Sequence, residues 1–226
     1  MIIIMLGAQG TGKGTVAGLL NEKKGWIQLS TGDVFRKNIK EETELGKEAN
    51  KYISKGMLVP DEITVPMVIN QIDELAGEEG IILDGFPRTV EQAEKLDSIL
   101  SERNKEVNLV VNLVTPRDEI VERITNRRVC TNQSCKATYN LVMHPPVKEG
   151  ICDKCGSELV QREDDKDEAS INQRLQIYDE KTLPLVDYYN KKGLVKEEEI
   201  SQRINRLADT AVEDLLTYID NNKIGE

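Results

Sequence analysis

The fold is decided by residues 1–15, MIIIMLGAQGTGKGT. The apolar run at residues 2–6 is typical of a buried strand, and it leads directly into a glycine-rich turn. Gly7, Gly12 and Lys13 fit the Gly-x-x-x-x-Gly-Lys pattern of phosphate-binding loops (P-loops). In such a loop backbone N–H groups surround phosphate oxygens, the lysine adds a positive charge, and the following helix presents its positive end. A glycine-rich turn with an incidental lysine is the alternative, but it leaves the preceding strand unexplained. The sequence therefore predicts that this loop binds the phosphates of a nucleotide.

The residue after the lysine departs from the usual loop. A Ser or Thr normally stands there, and its hydroxyl ligates magnesium, whereas this chain has Gly14, with Thr15 one place later. A second candidate for the metal is Asp84, at the end of the apolar run in GIILDGFPR, residues 80–88. A carboxylate in that position orients magnesium directly or through its waters. We expect Asp84 to be the main anchor and Thr15 to reach a phosphate or a metal-bound water; a helix cap or turn residue is the alternative for Asp84.

Composition narrows the class of protein. The 226 residues include 31% charged side chains and carry a formal net charge of -10, so a broad basic surface for nucleic acid is not expected. The amino-terminal apolar run is short and lacks a basic leader, and no other run is long enough to span a bilayer. We therefore expect a cytoplasmic protein that binds neither nucleic acid nor membranes. In a reducing compartment its four cysteines are expected to be metal ligands rather than disulfides.

Apolar runs alternate with helical segments along the chain. Strands are predicted at residues 2–6, 26–29, 81–83, 109–114 and, more weakly, 194–195, and helices after Gly12 and at residues 90–102, 117–127 and 205–220. This alternation predicts an α/β fold with a parallel sheet covered by helices. Residues 30–60 and 128–163 interrupt the alternation and are predicted to be insertions. The charged run at residues 196–199 is predicted to be a solvated surface.

The four cysteines form two pairs within the second insertion. Four residues separate Cys130 from Cys135, and two separate Cys152 from Cys155. Two such pairs around a longer span are typical of a closed tetrahedral zinc site, in which thiolates fill the coordination shell. Iron or free thiols are the alternatives. The prediction is a structural zinc site without an open catalytic position.

Several motifs resemble those of adenylate kinases of the long bacterial type, whose lid carries a zinc site. The resemblance covers nearly the whole chain up to about Tyr189. It rests on GxxGxGKGT at residues 7–15, STGD at 30–33, DGFPRT at 84–89 with Gln92, NRRVC at 126–130, QREDD at 161–165 and RL at 174–175. In this family GKGT is normal, so Gly14 is no defect. The resemblance implies a core P-loop domain at residues 1–29, 60–125 and 166–226, a helical AMP-binding insertion at 30–59, and a small zinc-bearing lid at 126–165.

The resemblance also implies roles for individual residues. The positions that match ATP-binding residues are Gly10, Thr11, Gly12, Lys13, Gly14, Thr15, Arg123, Arg127, Thr138 and Tyr139. The positions that match AMP-binding residues are Thr31, Arg36, Met57, Leu58, Val59, Gly85, Phe86, Pro87, Arg88, Gln92, Arg162 and Arg174. The residues expected to be catalytic are Lys13, Asp84, Arg88, Arg123, Arg162 and Arg174, and the expected metal ligands are Cys130, Cys135, Cys152 and Cys155. Phosphoryl transfer spreads charge over equatorial oxygens, so arginines and a metal suit it better than a proton-transferring base.

The reaction implied is a reversible, Mg²⁺-dependent transfer of the γ-phosphoryl group of ATP to AMP, giving two ADP, by a monomer. Thr31 and Gln92 stand where the family reads adenine, which favours AMP as the acceptor. A UMP/CMP kinase is the neighbouring alternative. A zinc-ribbon protein that uses its P-loop as a nucleotide switch is a third, which the acidic composition and an aromatic content of 4% disfavour.

The chain departs from the family pattern in two places. The first cysteine pair, CTNQSC, is longer than the usual spacing of two, and KDEASINQ, residues 166–173, has one residue more than expected. An extra residue inside a helix would rotate Arg174 by about 100°. We therefore expect it to be absorbed before the helix begins, which leaves the roles of Asp167 and Glu168 open. Arg123 and Arg127 are four residues apart, a spacing that would place both on one face of a single helix.

Overall fold

The computed structural model describes residues 1–132, 134–135, 137–203 and 206–225. Its main element is a parallel five-stranded sheet in the order β2-β3-β1-β4-β8. The strands are β1 (Ile2–Leu6), β2 (Ile27–Ser30), β3 (Ile81–Asp84), β4 (Leu109–Val114) and β8 (Val195–Glu199). All five residues of the central strand β1 are buried, because both faces of a parallel sheet are covered.

Helices join the strands and flank the sheet. They are α1 (Lys13–Lys24), α2 (Thr31–Lys40), α3 (Glu44–Ile53), α4 (Asp61–Glu74), α5 (Val90–Glu102), α6 (Arg117–Thr125), α7 (Glu168–Ile177), α8 (Pro184–Asn190) and α9 (Ala208–Asn222). A 3₁₀ turn at Glu163–Asp165 precedes α7, and a π-helical turn at Tyr178–Thr182 joins α7 to α8. Polar caps fix several helix starts: Ser30 accepts a hydrogen bond from Asp33 N–H, and Thr89 accepts one from Gln92 N–H.

The two faces of β1 contribute to two apolar cores. Ile2, Ile4 and Leu6 belong to one core, with side chains from α4, α5 and α8. Ile3 and Met5 belong to the other, with side chains from α1 and α9. Complete burial of one such side chain contributes about 1.5–3 kcal/mol to stability. The alternation of apolar side chains along β1 thus fixes the strand between two helical layers, and with it the glycine loop that follows.

A helical pair, α2 and α3, lies between β2 and α4. Its small core contains Phe35, Ala49 and Val59. The two helices approach so closely that a Cβ added to Gly46 would lie 2.1 Å from the carbonyl oxygen of Asn38. Glycine at this position therefore permits the helical packing of the first insertion.

A second, smaller sheet carries the cysteines. Its antiparallel strands are β5 (Arg127–Cys130), β6 (Thr138–Asn140) and β7 (Leu159–Val160), in the order β6-β5-β7. Its buried cluster is made of Cys130, Cys152 and Leu159, far fewer residues than the two main cores contain. Apolar burial alone offers this sheet little stability.

Most of the predicted elements are confirmed. The strands at residues 2–6 and 109–114 and the helix at residues 90–102 have the predicted bounds, and β3 extends one residue further, to Asp84. The last helix begins at Ala208 rather than at Asn205, which lies outside the described residues. Among the residues described, no helix has both the length and the apolar character needed to cross a bilayer.

Two predictions about individual segments are wrong. Residues 196–199 are not a purely solvated run: they belong to β8, and Glu198 is 1% exposed, paired with Lys196 and Arg206. Helix α6 ends at Thr125 instead of 127, so Arg127 begins β5 and does not share a helical face with Arg123. The alternation of side chains along β8 places Glu198 inward, and Arg206, eight residues away in sequence, compensates its charge there.

Candidate active site

The glycine loop joins β1 to α1 at the carboxyl end of the sheet. Gly7 has φ of 135°, and a Cβ there would lie 2.6 Å from the carbonyl oxygen of Leu113, so the loop requires glycine at this point. Thr11 is buried, and its Oγ1 donates to the carbonyl of Ala8 at 2.9 Å, which braces the loop internally. The first turn of α1 begins at Lys13 and carries no acidic side chain. The positive end of this helix is therefore available to an anion.

Lys13 folds back over the loop. Its Nζ donates to the carbonyl oxygens of Gly7 at 2.7 Å and Ala8 at 2.8 Å. Burial is the main cause that lowers the pKa of Lys13 to about 8; Arg88, Arg127 and Arg162 lower it further, while Asp84 raises it. A phosphate group at this loop would compensate the positive charges of Lys13 and these arginines.

Asp84 lies at the end of β3, level with Met5 of β1 and Ser30 of β2. Gln28 Nε2 donates to Asp84 Oδ2 at 2.9 Å, which orients the carboxylate. A Cβ placed on Gly14 would lie 3.9 Å from the same oxygen, so Asp84 faces the first turn of α1. Thr15 lies in that turn and is exposed. The two residues predicted to anchor magnesium thus occupy the same end of the sheet.

The segment after β3 forms a tight polar turn. Gly85 has φ of 83°, and a Cβ there would lie 2.8 Å from Thr31 Oγ1 and 3.1 Å from Arg88 Nη2. The carbonyl of Gly85 accepts from Arg88 Nε at 2.8 Å and from Thr31 Oγ1 at 3.0 Å. Phe86 and Pro87 are buried beneath this turn. Thr31 and Arg88 are therefore held together by one backbone carbonyl.

Gln92 is buried and its amide is engaged at both ends. Its Oε1 accepts from Arg88 N–H and its Nε2 donates to Asp61 Oδ1, each at 2.7 Å. Asp61 is a residue that the sequence interpretation missed, although it begins α4 directly after Pro60. Its carboxylate fixes which end of the Gln92 amide points toward Arg88.

Residues 57–59 close the first insertion on the same side. Val59 is buried in the α2–α3 core, and its carbonyl accepts from Thr64 Oγ1 at 3.2 Å. The preceding Gly56 lies against α7: a Cβ there would be 3.2 Å from Arg174 Cγ. Met57 and Leu58, both partly buried, lie between these contacts, so the segment is brought next to one of the predicted arginines.

Five arginines gather above the sheet, and aspartates hold most of them. Arg36 pairs with Asp33, and Arg174 Nη1 pairs with Asp164 Oδ2 at 2.7 Å. The remaining members of this cluster are Arg88, Arg127 and Arg162. Burial, with Arg127 and Arg36 adding to it, lowers the pKa of Arg162 to about 9. Cations so close to one another repel, which makes the cluster a ready receptor for a polyanion.

Asp165 connects two of these arginines and was also missed as a site residue. Its carboxylate accepts from Arg127 Nε and Nη2 at 2.8 Å each, and from Arg174 Nη2 at 2.9 Å. It is 2% exposed, and although burial alone would raise its pKa, Arg127 and Arg174 hold that pKa below the usual range. The signal in the sequence was the run EDD at residues 163–165 directly after Arg162.

Asp167 and Glu168, whose roles the sequence leaves open, form the start of α7. Asp167 is the N-cap of α7 and accepts from Ala169 N–H and Ser170 N–H, so Glu168 is the first helical residue. The helix then carries Arg174 to Asp164 and Asp165.

Three of the residues predicted to bind ATP contact side chains and strands other than the arginine cluster. Arg123 is buried in contact with Glu119 of its own helix. Thr138 pairs with Val129 in the smaller sheet. The hydroxyl of Tyr139 accepts from Asp153 N–H at 2.8 Å and lies 3.5 Å from Cys152 Sγ, toward the cysteines.

The four cysteines form a candidate metal centre. Cys130 Sγ lies 3.4 Å from Cys155 Sγ, Cys135 Sγ lies 3.7 Å from Cys152 Sγ, and all four sulfur atoms are within 4.8 Å of one another. A tetrahedral zinc with bonds of about 2.3 Å needs sulfur atoms about 3.8 Å apart, so the arrangement fits. Hydrogen bonds from Ser157 lower the pKa of Cys155 to about 6, which favours a thiolate ligand.

Comparison with known proteins agrees with this arrangement. The profile of the adenylate kinase family matches residues 5–194. The chain is similar to adenylate kinase of Caldicellulosiruptor bescii, with 46% identity over 94% of this chain and 96% of the relative. It is 49% identical to adenylate kinase of Archaeoglobus fulgidus over 86% and 88% of the two chains, and 46% identical to that of Staphylococcus aureus over 97% and 100%. These matches confirm the predicted fold and nucleoside monophosphate kinase function: the chain belongs to the adenylate kinase family.

Proposed function

We propose that this chain transfers the γ-phosphoryl group of ATP to AMP, reversibly and with Mg²⁺, by means of the residues around Lys13. The observation that carries the proposal is the convergence of cations at the glycine loop. Lys13 Nζ lies on the loop carbonyls of Gly7 and Ala8. Arg88, Arg127 and Arg162 are close enough to lower the pKa of that ammonium. Crowded cations destabilise one another without an anion, and the transferred phosphoryl group with its neighbours supplies several negative charges. The same residues then stabilise the charge that develops during transfer.

The glycine loop is proposed to hold the phosphates of ATP. Its backbone N–H groups and the start of α1 face the same space as Lys13, whose Nζ exchanges the carbonyls of Gly7 and Ala8 for phosphate oxygens. Arg127, which Asp165 orients through two hydrogen bonds of 2.8 Å, reaches this space from β5. A bidentate partner presets the plane of a guanidinium and reduces the entropy lost on binding.

Asp84 is proposed to orient the Mg²⁺ that accompanies ATP. Its carboxylate faces the first turn of α1 and is oriented by Gln28. Together with phosphate and water oxygens, this carboxylate would form a set of oxygen ligands that suits a hard divalent ion. Magnesium supplies neutralisation of charge on the phosphates and fixes their geometry. Thr15, exposed in the same turn, is the alternative anchor.

AMP is proposed to bind between the α2–α3 insertion and the turn after β3. Arg36 and Arg88 supply charge for its phosphate, while Thr31, the segment 57–59 and Gln92 surround its base. The amide of Gln92 is held in one orientation by Asp61 and by Arg88 N–H, which supports selection of one pattern of donors and acceptors on the base. A UMP/CMP kinase remains the alternative against which acceptor selectivity is measured.

Residues 30–59 and 126–165 are proposed to close over the two nucleotides as an AMP-binding insertion and a lid. Support comes from an electrostatic interaction between the two segments. The positive charge of Arg36 in the insertion lowers the pKa of Arg162 at the end of the lid, so the two side chains are close. Arg162 and Arg174, on either side of Asp164 and Asp165, then approach the transferred group from the lid side.

The cysteine cluster is proposed to hold zinc with a structural role. Cys130, Cys135, Cys152 and Cys155 supply four ligands and leave no open position, and the smaller sheet has few apolar contacts to replace them. A thiolate site of this kind suits a reducing compartment such as the cytoplasm. The monomeric state remains a prediction that sedimentation analysis of the purified chain would check.

The test is conversion of ATP and AMP followed by separation of the products. With Mg²⁺ the purified chain is expected to consume equal amounts of ATP and AMP and to form twice that amount of ADP; starting from ADP, the reverse should occur. Hydrolysis of ATP without loss of AMP would contradict the proposal and favour a nucleotide switch.

A further inference from the structure

A buried polar cluster lies where α6 meets the segment after β8. Glu119 of α6 is 6% exposed. Its Oε1 accepts from Ser201 Oγ at 2.6 Å, and its Oε2 accepts from Arg123 Nη2 at 3.1 Å and from Gln202 N–H at 3.2 Å. One carboxylate therefore joins a helix to a loop that is about 80 residues away in sequence.

Arg123 extends this cluster. It is 8% exposed, and its Nη2 also donates to the carbonyl of Ile200 at 3.3 Å, which Thr115 Oγ1 reaches at 2.7 Å. Its Nε is buried and has no hydrogen-bond partner among the described residues. Burial lowers the pKa of Arg123, and Glu119 opposes that effect. The guanidinium is thus held by the Glu119 carboxylate, its one ionic partner among the described residues of this cluster, together with the Ile200 carbonyl and Thr115 Oγ1 at 3.4 Å.

The cluster borders the glycine loop directly. A Cβ on Gly10 would lie 3.0 Å from Ile124 Cγ1 of α6, and a Cβ on Gly12 would lie 3.6 Å from Ile200 Cδ1. Helix α6 and the segment at Ile200 therefore form one wall of the loop. A shift of either element would move the surface beside this loop.

This wall lies on the donor side of the site. The strand order β2-β3-β1-β4-β8 places the proposed AMP residues at the ends of β2 and β3, on one side of the loop that follows β1. The cluster lies at the ends of β4 and β8, on the other side. In-line transfer requires the two nucleotides to approach the moving phosphoryl group from opposite directions. The nucleoside of ATP is then expected beside Arg123 and the backbone at Ile200.

We infer that Glu119 is a positioning residue for ATP: it fixes the Arg123 guanidinium and the backbone at residues 200–202 in the arrangement that receives the donor nucleoside. The inference rests on the proposed function, because it takes the glycine loop as the ATP side. Glu119 touches no reacting atom in this account. Its removal should therefore weaken ATP binding and leave AMP binding intact.

The test compares Glu119→Gln with Glu122→Gln. Glu122 lies on the same helix, is exposed, and carries the same charge without the buried bonds. Calorimetry measures the Kd of a non-hydrolysable ATP analogue with Mg²⁺ and, separately, that of AMP. For Glu119→Gln we expect the analogue to bind about tenfold more weakly, as loss of one buried charged hydrogen bond implies, with AMP changed less than about twofold. Glu122→Gln should match the wild type for both ligands.

Equal changes for both ligands, or a lower melting temperature with both Kd values unchanged, would overturn the inference. If Glu119→Gln does not fold, Ser201→Ala removes only the bond of 2.6 Å, and unchanged analogue binding in that variant overturns the inference as well. The binding measurement needs no turnover. A wild type that fails to phosphorylate AMP therefore contradicts the proposed function separately from this result.

Discussion

Replacing Asp165 with Asn tests the arrangement of the arginine cluster. The wild-type carboxylate receives three hydrogen bonds, two from Arg127 at 2.8 Å and one from Arg174 at 2.9 Å, and is 2% exposed. Asn removes the charge, keeps one acceptor oxygen, and directs an NH₂ group at a guanidinium. Breaking a buried ion pair from one side costs about 3–5 kcal/mol. Arg174 keeps Asp164 as a partner, so we take the lower end, about 3 kcal/mol.

That loss lowers the melting temperature by about 6–12 °C for a chain of this size. Because the folded pKa of Asp165 lies below the unfolded value, its stabilisation is present above the unfolded pKa of about 4 and is lost as the pH falls through the folded pKa. The difference in melting temperature between variant and wild type should therefore be full at pH 7 and shrink in acid. Turnover should fall by about tenfold or more, since Arg127 and Arg174 lose their fixed orientation.

The assay is thermal unfolding followed by circular dichroism at pH 7 and in acid, with turnover measured on the same samples. Glu163→Gln is the control, because its carboxylate is two residues away and pairs only with Lys166 at the surface among the described residues. A melting temperature within about 2 °C of wild type at pH 7, together with unchanged turnover, would refute the proposed role of Asp165.

Four further outcomes are expected. Arg88→Ala and Arg162→Ala should each lower kcat by orders of magnitude with the fold retained, a loss of about 3–5 kcal/mol in transition-state stabilisation. Arg128→Ala should stay near wild type, because among the described residues its side chain bonds only to the carbonyls of Thr125 and Arg127. Wild-type turnover in either of the first two variants would remove that residue from the site. Asp84→Asn should lose the Mg²⁺-dependent rate but still bind nucleotide, and greater damage from Thr15→Ala would make the hydroxyl the principal anchor. ATP affinity should fall as the pH rises above about 8, because Lys13 in the nucleotide-free protein has a pKa of about 8 and loses its positive charge there. Titration calorimetry at pH 7 and 9 measures the Kd of ATP, and equal values at the two pH values would contradict this prediction. Removing the metal with a chelator should lower the melting temperature. The expected loss in the free energy of unfolding is about 3 kcal/mol, by analogy with opening a cross-linked loop of similar size. Activity at low temperature should remain, and a folded but inactive apo form would contradict a purely structural zinc.

Local patterns in the sequence predicted the glycine loop, β1 and the four-cysteine cluster because neighbouring residues determine them. The apolar alternation of β1 and the cysteine spacings are visible in the chain itself, and the structure confirms that each set comes together. Asp84 was likewise located at a strand end, where a parallel sheet gathers polar side chains.

Contacts between distant segments account for what the sequence could not predict. Glu198 was taken as surface because it belongs to a charged run, yet Arg206 compensates it inside the fold. Asp165 and Asp61 gain their importance from Arg127 and Gln92, which lie 38 and 31 residues away. The spacing of Arg123 and Arg127 suggested one helical face because the apolar periodicity was followed past Asn126. Asn126 is the C-cap of α6, and Asn is a common residue at the end of a helix.

The acceptor preference of the purified chain tests the central claim most directly. A coupled assay with ATP and Mg²⁺ would compare kcat/KM for AMP, GMP, CMP and UMP under identical conditions. We predict that AMP exceeds each of the others by at least about 100-fold, because a site that fixes Gln92 in one orientation leaves buried polar groups unpaired with another base. Equal kcat/KM values for AMP and for UMP or CMP would contradict the account of the acceptor site.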